Sequence, residues 1–488
     1  MKNSVFYVHR YCRQREVSGS CFFYSVHWPD GENVRFFVDA GAFSGEKNNS
    51  YLNGYFPFKA EKLSFGIITH LHFDHVGVLP VIVRQGFNGR IYSSYSTLKL
   101  LDVVLADTTT IVDKKLGTTI ATIEEKEKTL DHTVGCAYNK IIKPHKNIKI
   151  IFLNNGHLVG AAIVLIIISC PGEQDITILH TGDYKDKNIF FDVEQPPENI
   201  TKMNISSFVM ESTYGNVDST DSKFDECLEE NISWAINKGF TVVCPTFALG
   251  RHQEGLYKIK NIKDKSKIPE DIPVIVDGKS SQIFNARFKY SDLDIKPEMK
   301  NFMPKNIYAI PRSANRNIVR KEIIKNTEPK IILSPGGMGD YGAAKVYLEN
   351  LIQRRDVMVH GLGYASPISV LYKLLNTQLY DKVNCYGNVY TLNCIAKSTS
   401  ELTSHAPRDI LLRFMKTFPN IKSVSINHGE LGTQKSCRKY VLNNTELGEE
   451  NVDICSPEVG VIIKPEGIVG TFKTQLISND LWKIRICN

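Results

Sequence analysis

The chain has 488 residues, of which 42% are hydrophobic and 23% charged, with a net charge of +7. This composition excludes wholesale disorder, and the length exceeds the ~250–300 residues at which one hydrophobic core stops growing, so two domains or one elaborated domain are expected. The small positive charge permits a polyanionic partner without requiring one.

The N-terminal stretch MKNSVFYVHRYCRQREV has no apolar segment of signal-peptide type. Eleven cysteines without a C-x-x-C pair suggest neither a zinc ribbon nor a disulfide framework. They read as thiols of a reducing compartment, so a cytoplasmic protein is expected. Residues up to about 215 alternate short β-rich runs with turn signals: SCFFYSVHW, VRFFVDAG, FGIITH, GRIYSS, IKIIFL, AAIVLIII and ITILHTGD. Between them, STLKLLDVVLADTTTIV has helical periodicity. The longest apolar run, Ala161–Cys170, is too short to span a bilayer and reads as a buried strand, so no membrane partner is expected.

From about Lys223 the character changes. FDECLEENISWAINKG reads as an amphipathic helix, and TVVCPTF and IPVIVDG read as strands between helices. That alternation predicts βαβ units and a parallel sheet. Lysine-rich KIKNIKDKSK, Lys258–Lys267, reads as a solvated helix end and linker. After about Tyr386 short strands return, IKSVSINHGE reads as a strand ending in a turn, and the tail from Asn451 reads as further strands.

One short stretch carries chemistry. THLHFDHVGVLP, Thr69–Pro80, sets three histidines and an aspartate directly before an apolar run. FGIITH reads as extended chain, which places His70 and His72 on one side, with Asp74 and His75 in the following turn and a helix beginning in VGVLPVIV. Burying each polar group with a separate partner is expensive. A metal resolves the problem, because imidazoles and a carboxylate suit Zn²⁺. Four ligand types are too many for one open zinc but suit a pair. Further candidates are His157 in NNGHLVGAA, Asp183 in LHTGDY and His428 in INHGE.

HLHFDH, VDAG with Asp39, GHLVGAA and HTGD together resemble the metallo-β-lactamase fold. ESTYG, PTFALGR and SPGGM resemble its β-CASP branch of nucleic-acid nucleases, and in particular the endonuclease subunit of the pre-mRNA 3′-end cleavage complex with its prokaryotic relatives. The resemblance runs from about Val5 to Val441. It implies an α/β fold, an αββα sandwich interrupted by an α/β insert. Residues 1–215 and 386–445 would form the sandwich, 216–385 the β-CASP domain, and 446–488 a β-rich tail of unknown role.

Carried over by residue, the resemblance implies two Zn²⁺ per chain. His70, His72 and His157 would hold one, Asp74, His75 and His428 the other, with Asp183 bridging and Asp39 orienting a ligand or its loop. His405 in TSHAPRD would protonate the leaving oxygen, with Glu211 of ESTYG holding it, and Asp74 would also orient the attacking water. Ser280, Ser281, Ser334, Gly336 and Gly337 could offer hydroxyls and N–H groups to phosphates, and equally read as plain turns. GYASPISVLYK, Gly363–Lys373, lacks the Gly-Thr pair and the arginine of many relatives, leaving Lys373 as a point charge. The expected activity is zinc-dependent, two-metal hydrolysis of RNA, endonucleolytic, with single-stranded RNA as partner and a homodimer or protein complex left open. The alternatives are a DNA nuclease of the same branch, against which His428 speaks, and a weakly active or inactive metal-binding scaffold that pairs with an active paralogue.

Overall fold

The computed structural model describes residues 5–13, 17–43, 53–54, 56, 59–110, 112–113, 118–220, 228–311, 313, 315–477 and 481–485. The start of the helix expected over FDECLEENISWAINKG therefore lies outside the described residues; the helix itself is described as Leu228–Asn237. Two compact units form, one from Met1–Ser219 with His405–Asn488 and one from Thr220–Ser404.

The first unit is built on two sheets. One runs in the order Leu481–Arg485, Gly467–Ile477, Val459–Lys464, Tyr7–Cys12, Phe22–His27, Asn33–Val38, Phe65–Ile67, Arg90–Ser94 and Thr133–Cys136. The other runs Val452–Ile454, Val424–Ile426, Ser207–Met210, Ile176–His180, Ala162–Ile168, Ile148–Asn154 and Ile141–His145. Alternation of side chains about each strand explains the layering. Ala162, Val164, Ile166 and Ile168 face Tyr24, Phe36 and Val38 of the other sheet in one core. Ile163, Leu165 and Ile167 face Leu411, Leu412, Phe414 and Val441 in a second core, formed with the helices Arg408–Met415 and Leu431–Asn444. The strand Ala162–Ile168 is buried at every position, so its apolar run reports burial on both faces. The helix Tyr95–Thr108 covers the outer face of the first sheet, which completes an αββα sandwich.

The tail, expected as further strands of unknown role, adds to both sheets. Val452–Ile454 pairs in parallel with Val424–Ile426, and Val459–Lys464 pairs antiparallel with Tyr7–Cys12.

The second unit is a parallel sheet in the order Ile307–Ala309, Val274–Val276, Lys330–Pro335, Thr241–Thr246, Val357–Gly361 and Ile395–Ser398, with helices between strands. The return to the sandwich was expected near residue 386. Instead Ile395–Ser398 pairs in parallel with Val357–Gly361, which keeps the chain in the second unit as far as Ser404. A short strand at a parallel edge has the same sequence pattern as a sandwich strand, so periodicity could not place it. KIKNIKDKSK also differs from expectation, since Ile259, Ile262 and Lys263 are buried. Lys263 is 6% exposed, and its ammonium donates to the carbonyls of Glu270, Ile272 and Lys305 at 3.0, 2.6 and 2.8 Å.

Candidate metal centre

The strand expected over FGIITH stops at Ile67. The Thr69 N–H leaves the ladder and donates to Asp39 Oδ1 at 2.8 Å, which turns the chain into the site. His70 and His72 thus converge from a loop rather than by strand alternation. Asp74 and His75 sit on the one-turn helix Phe73–Val76, and the helix Leu79–Arg84 follows with Pro80 in its first turn, where its missing N–H costs nothing. Gly41 of VDAG lets this segment lie close: a Cβ there would fall 1.5 Å from the Asp74 carbonyl, which accepts the Ser20 N–H at 2.8 Å.

Strand ends deliver the other candidates. His157 follows Ile148–Asn154, and its N–H donates to Asn155 Oδ1 at 3.0 Å. Asn155 in turn donates to the carbonyls of Thr181 and Asp183 at 2.9 and 2.7 Å, tying two of these loops together. Asp183 follows Ile176–His180, and His428 follows Val424–Ile426. Asp39 and His428 have φ of +60° and +47°, a region that side chains adopt only when their surroundings hold them there.

All seven expected ligand residues meet. His70, His72, His157 and Asp183 offer atoms within 4.8 Å of one another, and so do Asp74, His75 and His428. His70 Nε2 and His157 Nε2 lie 3.4 and 3.6 Å from Asp183 Oδ2, while His75 Nε2 and His428 Nδ1 lie 3.4 Å from Asp183 Oδ1. One carboxylate therefore stands between the two groups. Asp39 accepts from His75 Nδ1 at 2.8 Å and from the Thr69 hydroxyl at 2.8 Å.

The electrostatics describe a site that demands positive charge. Burial by itself would raise the Asp183 carboxyl, but His428, His75 and His70 hold it well below the usual range. Asp74 is likewise held down against burial by the hydrogen bond from His428 and the charge of His75. Burial lowers His70, His72 and His157, whereas the facing carboxylates overcome burial and raise His75 and His428. The fit to metal rests on leftover atoms: His70 Nε2, His75 Nε2 and Asp183 Oδ1 are buried without a hydrogen-bond partner. Buried polar atoms without a hydrogen bond are costly, and a cation between them would use the lone pairs of the carboxylate and of the rings in their neutral form.

Beside this cluster, His405 Nδ1 lies 3.0 and 2.8 Å from the two Glu211 oxygens, and its Nε2 faces Asp183 Oδ2 at 3.9 Å. Glu211 is itself buried and accepts the Tyr184 and Thr213 N–H groups at 2.6 and 3.3 Å. Asp183, Glu211, His405 and His428 form a third grouping of ligand type.

The expected phosphate-binding residues belong to the second unit. Ser280 and Ser281 lie in the first turn of the helix Lys279–Tyr290, not in a free turn. Ser334 is fully buried at the end of Lys330–Pro335, Gly336 and Gly337 follow it, and Lys373 lies on the helix Val370–Leu375. From Thr246 the chain departs to one side of its sheet and from Pro335 to the other, a topological switch point of the type where α/β sheets take ligands. A recess there is lined by Thr246, Phe247, Arg251, Gly337, Gly363 and Tyr364. Sequence reading missed Arg251, whose Nε lies 3.3 Å from where a Cβ on Gly363 would stand, so a guanidinium flanks the segment that lacks its own arginine. It also missed Thr69, Asn155 and Thr213. The threonines lie inside the quoted motifs and carry hydroxyls, which was the available signal.

The Beta-Casp domain profile matches residues 252–374. Transcription termination factor FttA of Methanothermobacter thermautotrophicus is 26% identical over 432 residues, covering 85% of this chain and 66% of that protein. RNase aCSPSF2 of Saccharolobus solfataricus is 24% identical over 449 residues, covering 91% of this chain and 82% of that one. A ribonuclease of Thermus thermophilus is 25% identical over 433 residues, covering 85% and 91% respectively. The chain spans about two thirds of the length of FttA. The metallo-β-lactamase fold protein YhfI of Bacillus subtilis superposes with a TM-score of 0.28 at 16% identity, over 44% of this chain and 76% of that one. The αββα sandwich is of the metallo-β-lactamase class that the motifs lead one to expect. The Beta-Casp match over residues 252–374 and the similarity to FttA and RNase aCSPSF2 over most of the chain fit the β-CASP branch of that superfamily.

Proposed function

We propose that this protein is a zinc-dependent ribonuclease that hydrolyses RNA phosphodiester bonds. The observation that carries the reading is the convergence of six ligand-type residues around a seventh, Asp183, with buried atoms of His70, His75 and Asp183 left without a hydrogen bond. His70, His72, His157 and Asp183 would hold one ion, and Asp74, His75 and His428, with Asp183 shared, a second. Divalent ions bound there supply Lewis acidity at a phosphate and acidify water.

The chain's own groups do the rest. The Asp74 carboxylate, partly open to solvent, orients the attacking water and accepts its proton. Glu211 holds the His405 ring through Nδ1, which leaves Nε2 to protonate the departing oxygen. Arg251 and the Gly337 and Gly363 backbone offer a grip for phosphate at the recess of the second unit. RNA rather than DNA is supported by relatives named as RNase and ribonuclease.

The test incubates purified protein with end-labelled single-stranded RNA and with DNA of the same sequence, with chelator and with zinc restored. The expected result is RNA cleavage lost to chelator and regained with zinc, with products shorter than full length by more than one nucleotide. Equal cutting of both substrates would move the reading to a DNA nuclease or one without sugar preference. Two zinc ions bound with no cleavage of either would move it to a scaffold.

A further inference from the structure

Two hydroxyls at the site have no part in the reaction as described. Thr69 Oγ1 lies 3.0 Å from His70 Nδ1, and Thr213 Oγ1 lies 3.0 Å from His428 Nδ1. Both threonines are buried. A hydroxyl has a single proton, and in each case that proton has another acceptor. Thr69 donates to Asp39 Oδ2 at 2.8 Å, and Thr213 reaches the His428 carbonyl at 3.4 Å. With its proton so committed, the Thr69 oxygen presents only a lone pair and His70 Nδ1 must donate; the Thr213 oxygen can receive the His428 Nδ1–H in the same way, beside Asp183 Oδ1 at 3.4 Å from that nitrogen.

The consequence falls on the far side of each ring. A neutral imidazole with its hydrogen on Nδ1 has a bare lone pair on Nε2. For His70 that atom is buried without a hydrogen-bond partner and faces Asp183 Oδ2 at 3.4 Å. For His428 it faces Asp74 Oδ2 at 3.3 Å, a hydrogen bond while Nε2 is protonated and a lone pair against a carboxylate once the ring is neutral. A lone pair set against a carboxylate repels it unless positive charge lies between them, so the hydroxyls turn both rings into metal ligands. Asp39 does the same for His75, accepting Nδ1 at 2.8 Å and leaving Nε2 towards Asp183. A hydroxyl in place of a carboxylate sets the tautomer without adding negative charge to a site that already has Asp74 and Asp183.

We propose that Thr69 and Thr213 are positioning residues that fix the Nδ1–H tautomer of His70 and His428, one histidine in each metal position. The proposal rests on the metal-hydrolase reading above. Outer-shell partners of ligand histidines are typically worth ~10–100-fold in metal affinity. Thr213 acts on His428 alone, so its loss weakens one equivalent. Thr69 also holds Asp39, and through it His75, so its loss weakens both.

The test measures zinc affinity and stoichiometry by competition with a chromophoric chelator, on the full chain and on Thr213→Val, Thr213→Ala, Thr213→Ser and Thr69→Val, each checked by circular dichroism. The expected result is two equivalents in the wild type, and one equivalent weakened ~10–100-fold in Thr213→Val and Thr213→Ala. Thr213→Ser, which keeps the hydroxyl, should restore it, and Thr69→Val should weaken both equivalents. A merely space-filling role would leave Val harmless and Ser damaging, and that pattern overturns the proposal. Wild type with two equivalents and Thr213 variants indistinguishable from it overturns the proposal alone. Wild type with fewer than two overturns the two-metal reading, and the proposal with it.

Discussion

Within the site each side chain has a separable task, and substitutions can separate them. Asp74→Ala combined with His75→Ala removes two of the groups that meet at the second position and one that faces Asp183. RNA cleavage should fall to the detection limit while circular dichroism stays unchanged; a folded variant cutting at the wild-type rate would refute the site. His405 has two conceivable tasks, since its Nε2 faces Asp183 and the ring also joins a ligand-type grouping. If it donates a proton, His405→Ala should lower RNA cleavage by ~10²–10⁴, the usual share of general acid catalysis. A nitrophenyl phosphodiester, whose leaving group needs no proton, should lose far less. Equal losses on both substrates would make His405 a ligand or a structural residue. Glu211→Gln should show the same substrate dependence in milder form, because the amide still meets Nδ1 but no longer as a carboxylate.

At the scale of elements, a buried charge ties the chain's two ends together. Arg10, on the strand Tyr7–Cys12, is 2% exposed, and its guanidinium donates to Asp453 Oδ2 at 2.9 Å and to Ser425 Oγ at 2.5 Å. Asp453 lies on Val452–Ile454 in the opposite sheet, so the pair crosses the sandwich core. Removing one partner of a buried pair leaves an uncompensated charge, which typically costs about 3–5 kcal/mol. Asp453→Ala should therefore lose stability on that order in denaturant titration, somewhat less because the carboxylate side chain is 22% exposed. The double variant Arg10→Met with Asp453→Leu should recover most of the loss. A single variant as stable as wild type would show that the tail contributes little to the sandwich.

Over the whole molecule, acid should weaken both units for one shared reason. Burial lowers His9 to about 4 and His180 to about 3 in the first unit, and His252 to about 3 and His360 to about 4 in the second. Each folded pKa lies below the ordinary 6.5 of an exposed histidine. Above pH ~6.5 neither state binds the proton and these groups have no effect. As pH falls below that, the unfolded chain takes up protons that the folded chain refuses, so stability drops by up to ~1.4 kcal/mol per pH unit per histidine until the folded pKa is reached. Denaturant midpoints measured from pH 7 to pH 5 should fall with increasing slope. His360→Gln, remote in sequence from the metal ligands, should flatten the slope by about one histidine's share. Because His75 and His428 are raised and act in the opposite sense, the comparison with His360→Gln isolates the effect, and identical slopes in the two proteins would contradict the buried neutral assignment.

The sequence by itself marked the candidate ligand residues and the order of the motifs, and through the resemblance those motifs carry it pointed to the αββα class. A metal site would need its histidines and aspartates close together, so HLHFDH marks the candidate locally, and Ala162–Ile168 reads as an apolar run because it is buried on both faces. Tertiary structure decided which atoms meet. His428 reaches Asp74 across 354 positions, and no local periodicity encodes that encounter. The same holds for the end of the insert at Ser404, since a period of two is common to the strands of either sheet. Lys263, in a run that looks solvated, found three carbonyls only once Glu270, Ile272 and Lys305 were folded around it. Thr69 and Thr213 look like ordinary motif neighbours until the fold directs their hydroxyl protons elsewhere and turns their lone pairs towards His70 and His428. Hydrogen-bond direction depends on every partner at once, so it becomes readable only when the whole shell is in place.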